Sequence, residues 1–445
     1  MNTKTFCGKT YPYSYAGKHQ HDYICIQCLP SKFMLHTMKI LHTSDWHLGR
    51  SLYVNKRYDE FDKFLKWLLE LIAHEKIDVL LVAGDIFDTT TPGNRAQELY
   101  YNFLGQLSQK GCRHAVIIGG NHDSPSLLDA PKSLLNALSI HVVGCKSERM
   151  EDEVIVLKSK EGKNEAIVCA VPFLRDRDVR SAEAGESPED KAANLVKGIA
   201  GHYSEIAALA AQRQDVDHPV PVVGMGHLFT SKGRTSEGDG VRELYIGTIA
   251  HVDGESISEG FDYVALGHLH LAQLVGGNER VRYAGAPIPM GFAEAGQTKK
   301  VIVIEFEDKN PIFTEHEIPV FQELVGIYGD LEAITSKIEA LKADNSSAWL
   351  EIEINTQFTA TDISAHFEEL LRGSALEILR IKNRTLINKT LTPLNETENL
   401  EALDDADVFV RCLNAYEIAE EDRPSLTETY REAISLLQNA DPNDK

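Results

Sequence analysis

Five short stretches of this chain set carboxylate, amide and imidazole groups close together: Ser44-Asp45-Trp46-His47, Gly84-Asp85-Ile86-Phe87-Asp88, Gly120-Asn121-His122-Asp123, Gly226-His227 and Gly267-His268-Leu269-His270. Oxygen and imidazole donors without thiolate suit hard divalent ions such as Mn²⁺ rather than a structural zinc. One carboxylate placed between two such ions can hold them ~3.5–4 Å apart, where a shared hydroxide can attack phosphorus while both ions offset the developing charge. Asp85 is the natural bridge. A single Gly-His or Asp-x-His is ordinarily a loop residue or a satisfied core histidine. The weight lies in five such stretches in succession, most of them behind a glycine that lets the backbone turn tightly.

The elements that must position these groups are short apolar runs. Residues 39–44, 78–83 and 114–118 read as strands, with amphipathic helices over 59–74 and 100–110 between them. Further strands are expected over 166–171, 220–225, 261–266 and 301–306, and a charged, Ala-rich helix over 189–212. Alternating strands and helices predict an α/β fold of stacked βα units on a largely buried sheet. In such sheets the carboxyl ends of neighbouring strands share one rim, so the polar stretches can meet there.

The chain has 445 residues, 43% hydrophobic and 25% charged, enough for two or three domains. No apolar run reaches bilayer-spanning length, and the start lacks the order of a signal peptide. Seven cysteines, widely scattered, predict reduced thiols and a cytoplasmic protein. Cys7, His21, Cys25 and Cys28 lack a second well-spaced pair for zinc, and Gly8-Lys9-Thr10 has Thr3 where a phosphate loop needs glycine. Residues 1–37 are therefore read as an extension without regular structure, outside the working fold. The core runs from 38 to 319, with its strand order starting at Met38. A small α+β cap occupies 320–391, with helices over 331–342 and 363–372 and strands over 349–354 and 375–381. The region 392–445 carries an acidic stretch, 396–407, and helices over 408–416 and 425–437 that suit docking on a partner or packing on the cap. A net charge of -22 opposes polyanion binding, so a nucleic-acid role calls for metal ions, a partner, or local clusters such as Lys56-Arg57, Arg175 with Arg177 and Arg180, Lys232 with Arg234, and Arg380 with Lys382 and Arg384.

In order and content the five stretches resemble the calcineurin-like metallophosphoesterases, whose pattern runs D-x-H, G-D, G-N-H-D or G-N-H-E, G-H and G-H-x-H. Leu41-His42-Thr43-Ser44-Asp45-Trp46-His47-Leu48-Gly49, Ala83-Gly84-Asp85-Ile86-Phe87-Asp88 and Tyr283-Ala284-Gly285-Ala286-Pro287-Ile288-Pro289 narrow the resemblance to the nuclease subunits of bacterial double-strand-break repair complexes, from Met38 to the C-terminal helices. The resemblance implies a layered β-sheet core with flanking helices, a cap and C-terminal helices. It implies two divalent ions, Mn²⁺ expected, one held by Asp45, His47 and His270 and the other by Asn121, His227 and His268, with Asp85 bridging. It further implies that His122 acts on the scissile phosphate and that Asp123 orients it. The activity implied is double-strand exonuclease and single-strand or hairpin endonuclease, used in DNA repair, recombination and replication. The partners implied are DNA ends, a second copy of the subunit and an ATPase with long coiled coils; no nucleotide loop occurs in this chain, and no membrane is involved.

Two rivals remain open on the residues. The same loops serve phosphatases and small-molecule phosphodiesterases. Protein phosphatases, however, continue the Gly-Asp loop as Asp-Arg-Gly, where this chain has Thr89-Thr90-Thr91 after Asp88. A non-catalytic scaffold would have lost ligands, and none is missing here.

Overall fold

The strand Val79–Ala83 shows how the core is layered, because every one of its residues is buried. Side chains alternate across a strand. Leu80 and Val82 join Leu41, Ala115 and Ile117 beneath the helices Tyr58–Glu75 and Asn94–Leu107. Val79, Leu81 and Ala83 point the other way, into Ala166, Val168, Val223 and Met225 of a second sheet. That is why the run is apolar throughout: both of its faces are covered.

The computed structural model describes residues 3–6, 9–12, 38–179, 186–231, 233–234, 252–356, 358, 360–385, 405–415 and 418–439. Residues 1–37 and 38–445 form separate units. In the first, Thr3–Phe6 pairs antiparallel with Lys9–Pro12, a hairpin where no regular structure is expected from sequence. Cys7, His21, Cys25 and Cys28, like the acidic stretch up to 404, lie outside the described residues.

The second unit holds two six-stranded sheets, the layered core that the resemblance implies. The first runs Asn310–Glu317, Lys300–Glu307, Lys39–Thr43, Val79–Ala83, His114–Ile118 and Ile140–Val143, the last four parallel. The second runs Gln273–Val275, Asn278–Tyr283, Tyr263–Gly267, Val222–His227, Asn164–Ala170 and Val154–Lys158, its middle four parallel. The helix Pro188–Gln212 covers the outer face of the second sheet through Leu195, Ile199, Tyr203 and Ile206. Periodicity does not reveal Ile140–Val143, Val154–Lys158, Asn278–Tyr283 or Asn310–Glu317. The last is an edge strand whose exposed residues mix Thr314, Glu315 and Glu317 with apolar neighbours, so its pattern is diluted.

The cap is built on a third sheet. Leu324–Gly329, Trp349–Ile354 and Glu377–Asn383 pair wholly in parallel, linked by the helices Leu331–Ala343 and Ala360–Leu371. Ile334, Ile338, Ile363 and Phe367 cover one face over Leu350, Ile352 and Ile354. The other face meets a small hairpin, Ser51–Leu52 with Asn55–Lys56, that follows the first polar loop of the core. Tyr53 there donates its hydroxyl to Glu351 Oε1 at 2.6 Å, and Asn55 donates to Glu377 Oε1 at 2.9 Å. Leu52, Phe292 and Leu324 form a small apolar contact beside them.

Four of the basic groups, Arg57, Arg380, Lys382 and Arg384, are committed to this framework. Lys382 and Arg380 pair with Glu351, and Arg384 with Glu353. Arg57 is 2% exposed; its Nε donates to Glu60 Oε2 at 2.7 Å, and its Nη1 donates to the Pro289 carbonyl at 2.6 Å. Arg180 and Lys232 lie outside the described residues. Removing one partner of a buried ion pair leaves an uncompensated charge and costs about 3–5 kcal/mol. Arg57→Ala is expected to lower stability by that order in urea unfolding, with Arg57→Met/Glu60→Leu recovering most of it. An unchanged midpoint in Arg57→Ala would show that the pair is not structural.

Candidate metal centre

Loops leaving the carboxyl ends of strands in both sheets converge over the layer between them. Three of the five polar stretches leave the first sheet, after Thr43, Ala83 and Ile118, and two the second, at His227 and Gly267. The backbone is strained where they meet. Asp45, His47, Asp85 and His268 all have positive φ, at 52°, 47°, 49° and 105°. Non-glycine residues hold such conformations only where surrounding bonds over-determine them. Here the Asp45 N–H bonds Gly84 O at 3.0 Å, the His47 N–H bonds Asp85 O at 3.0 Å, and the His268 N–H bonds Asp45 Oδ1 at 2.9 Å.

Among the described residues three clusters result, Asp45 with His47 and His270, Asp85 with His227 and His268, and His47 with Asp88 and His122 at the edge, each with its candidate ligand atoms within 4.8 Å of one another. In the first, His270 Nδ1 donates to Glu294 Oε1 at 3.1 Å, which leaves the lone pair on Nε2. That Nε2 faces His47 Nε2 at 3.2 Å. In the second, His227 Nδ1 donates to Ala83 O at 2.9 Å, so its Nε2 turns a lone pair toward Asn121 Oδ1 at 3.0 Å and Asp85 Oδ2 at 3.2 Å. Asn121 Oδ1 also lies 3.1 Å from His268 Nδ1, and His268 Nε2 is buried without a hydrogen-bond partner. Asp85 Oδ2 stands between the clusters, 3.6 Å from His47 Nε2.

Acceptors turned on one another in a buried site need a positive charge between them. Two nitrogens bound to one first-row ion at about 2.1 Å lie roughly 3 Å apart. The residues present therefore fit a pair of divalent ions. With protons as the only cations, burial would lower the His227 pKa, but the Asp85 carboxylate outweighs it and lifts it to about 9. Burial likewise works to raise Asp85, yet the His227 and His47 imidazoles draw it well below the usual carboxylate range. His268, buried and beside His227, is pushed far down.

Family models place this geometry. One for calcineurin-like phosphoesterases matches residues 38–180, and SbcD_C, described as a type 5 capsule protein repressor C-terminal domain, matches 320–417. The SbcD subunit of nuclease SbcCD from Escherichia coli K12 is 34% identical over 403 residues, which is 90% of this chain and 98% of that protein. The chain belongs to the SbcD family of nuclease subunits. The SbcD proteins of Rhodobacter capsulatus and Bacillus subtilis are 34% and 31% identical, each over 60% of this chain and 66% of their own length. Membership of the SbcD family makes the chain a metal-dependent nuclease, a phosphodiester hydrolase. Among the described residues no helix is long and apolar enough to cross a membrane.

All seven ligand positions expected from sequence are thus brought together. His122 sits at the edge of the site, its N–H on Asp85 Oδ1 at 2.9 Å and its Nδ1 on Asp88 O at 2.8 Å. Asp123 is placed otherwise than expected. Its Oδ1 accepts the Phe87 N–H at 2.9 Å, and its Oδ2 accepts those of Ile86 at 3.0 Å and Gly120 at 2.9 Å. It buttresses the Asp85 loop, while the imidazole bond expected of it is made by the Asp88 carbonyl. A backbone partner has no signature in residue type, which is why Asp88 O could not be anticipated.

Sequence reasoning also misses Asp88 and Glu294. The Asp88 carboxylate lies 3.3 Å from His47 Nδ1 and 3.0 Å from the Arg50 guanidinium, and these offset burial and pull it down to about 2. Asp88 stands in the quoted Gly-Asp loop, so its loop position was the available signal. Glu294 has none, because it lies beyond the Tyr283–Pro289 motif in a turn that reads as surface.

The glycine of the Asn-His-Asp stretch has a steric task. A Cβ on Gly120 would stand 2.1 Å from Asp85 Oδ1 and 2.3 Å from Asp85 N. Gly120→Ala is expected to displace Asp85 and to cost about 1–3 kcal/mol of stability, with loss of bound metal. Metal analysis finding two ions per chain at normal turnover would refute that geometry.

Proposed function

We propose that this chain is the DNA-cleaving subunit of an end-processing complex. In this reading it acts on DNA ends as a double-strand exonuclease and on single strands or hairpins as an endonuclease, as a homodimer joined to an SbcC-like ATPase in the cytoplasm. One observation carries the proposal: two buried acceptor clusters with Asp85 Oδ2 between them, on a chain that matches nearly the whole length of Escherichia coli SbcD. In the assignment, Asp45, His47 and His270 hold one ion, Asn121, His227 and His268 the other, and Asp85 stands between; Mn²⁺ is the ion proposed. When bound, the pair supplies an activated water and offsets the charge that develops on the phosphate.

The chain's own residues do the rest. The Asp88 carbonyl fixes His122 with its proton on Nδ1, so Nε2 is the nitrogen that can hold or give a proton at the phosphate. Asp123 keeps Asp85 in register through the backbone of Ile86 and Phe87. The C-terminal helices Asp405–Ala415 and Arg423–Asn439 are joined by stacked Phe409 and Tyr430, with ring centroids 4.0 Å apart, and leave Val410 and Leu426 exposed. Those apolar positions are the proposed seat of the ATPase, which would also supply the binding that a chain of net charge -22 lacks.

With Mn²⁺ and linear duplex DNA, the complex with its ATPase is expected to release nucleotides or cleave near ends. Turnover of bis-p-nitrophenyl phosphate but never of DNA would favour a small-molecule phosphodiesterase instead. A general acid contributes ~10²–10⁴ in rate. His122→Ala is therefore expected to lose turnover on that scale while keeping both ions and DNA affinity. Asp123→Asn behaves differently, losing metal content, because one amide cannot accept all three backbone N–H groups. Loss of an ion in His122→Ala would remove its catalytic assignment.

A further inference from the structure

The two clusters differ in what stands behind their histidines. His227 leans on a neutral backbone carbonyl, Ala83 O, at 2.9 Å. His270 leans on a carboxylate that is itself buried: Glu294 is 1% exposed and meets His270 Nδ1 through Oε1 at 3.1 Å. Its other oxygen, Oε2, accepts the Met290 N–H at 3.1 Å and pairs with Lys299 Nζ. Lys299, 6% exposed, donates as well to His270 O at 3.2 Å, so one ammonium grips both the ligand's backbone and the carboxylate behind its ring.

A buried carboxylate is costly to keep, and a salt bridge to lysine would be equally well served by an apolar pair of similar volume. What the carboxylate provides that an apolar pair could not is a strong acceptor at Nδ1. It holds the ring in the tautomer whose Nε2 lone pair faces His47 and Asp45, and it raises the basicity of that nitrogen.

We propose that Glu294, clamped by Lys299, is a positioning residue for the ion assigned to Asp45, His47 and His270, and sets the affinity of that site alone. This rests on the two-ion reading above. Removing such a partner typically weakens metal binding by roughly 10–100-fold. The other site has its own anchor in Ala83 O and is expected to be unaffected.

The test is calorimetric titration of the metal-depleted full chain with Mn²⁺, with melting temperature measured on the same preparations. Wild type is expected to bind two ions. Glu294→Ala should keep one class of site unchanged and weaken the other by roughly 10–100-fold. Glu294→Gln, whose carbonyl still accepts from Nδ1, should fall between the two and serves in place of the alanine variant if that fails to fold. Two classes in Glu294→Gln and Glu294→Ala identical to wild type would overturn the Glu294 assignment alone. Equal weakening of both classes alongside a fall in melting temperature would also overturn it, since that is a merely structural role. A wild-type chain that binds fewer than two ions would overturn the two-ion reading, and this assignment with it.

Discussion

Everything about the site follows from crowding electron pairs where water cannot reach. Asp45, Asp85 and the imidazoles of His47, His227, His268 and His270 are all essentially buried, and the ring nitrogens fixed by outside partners turn lone pairs inward. Acceptors that face one another out of reach of water call for positive charge between them, and the donor set here suits divalent cations. The left-handed backbone at four of its positions is the conformational cost of that arrangement, held in place by backbone bonds between one loop and the next.

Such a pocket needs a floor that does not yield, which the two facing sheets provide. Their inner layer is made of Val79, Leu81, Val116, Val168, Val223 and Met225, branched or close-fitting side chains with no polar atoms. A polar insertion between the sheets is His42, which burial keeps neutral, with a pKa of about 3, and which bonds the Tyr263 hydroxyl at 2.8 Å. Because each cluster draws residues from both sheets, its geometry depends on how the sheets pack and not on any one loop.

Much of this was legible in the residues. Apolar runs ending in Gly-Asp, Gly-Asn-His-Asp and Gly-His-x-His announce both the strands and the chemistry at their ends, since a strand covered on both faces must be apolar and a ligand loop must be polar. What escaped was whatever depends on distance across the fold. That two sheets face each other is invisible when each reads as the same kind of strand. Glu294 and Asp123 are acidic residues in loops, and nothing local tells that one backs a histidine and the other a backbone turn. Arg57 looked like part of a basic patch because Lys56 precedes it, yet its partner Glu60 lies one helical turn on and both are buried. The parallel order of the cap was hidden for a similar reason: its first strand, Leu324–Gly329, includes exposed Tyr328 and two glycines.

The small hairpin after His47 ties two parts of the molecule into one mechanical element. The backbone that carries Asp45 and His47 runs directly into Arg50, which grips Asp88, and then into Tyr53 and Asn55, which grip the cap at Glu351 and Glu377. Arg380 of the cap also lies over the Tyr53 ring, 5.4 Å from its centroid. The cap cannot swing away without either releasing those bonds or pulling on the strand end that supplies ligands. In engineering terms the hairpin is a tie rod, fastened at one end to the loop that carries Asp45 and His47 and at the other to the cap.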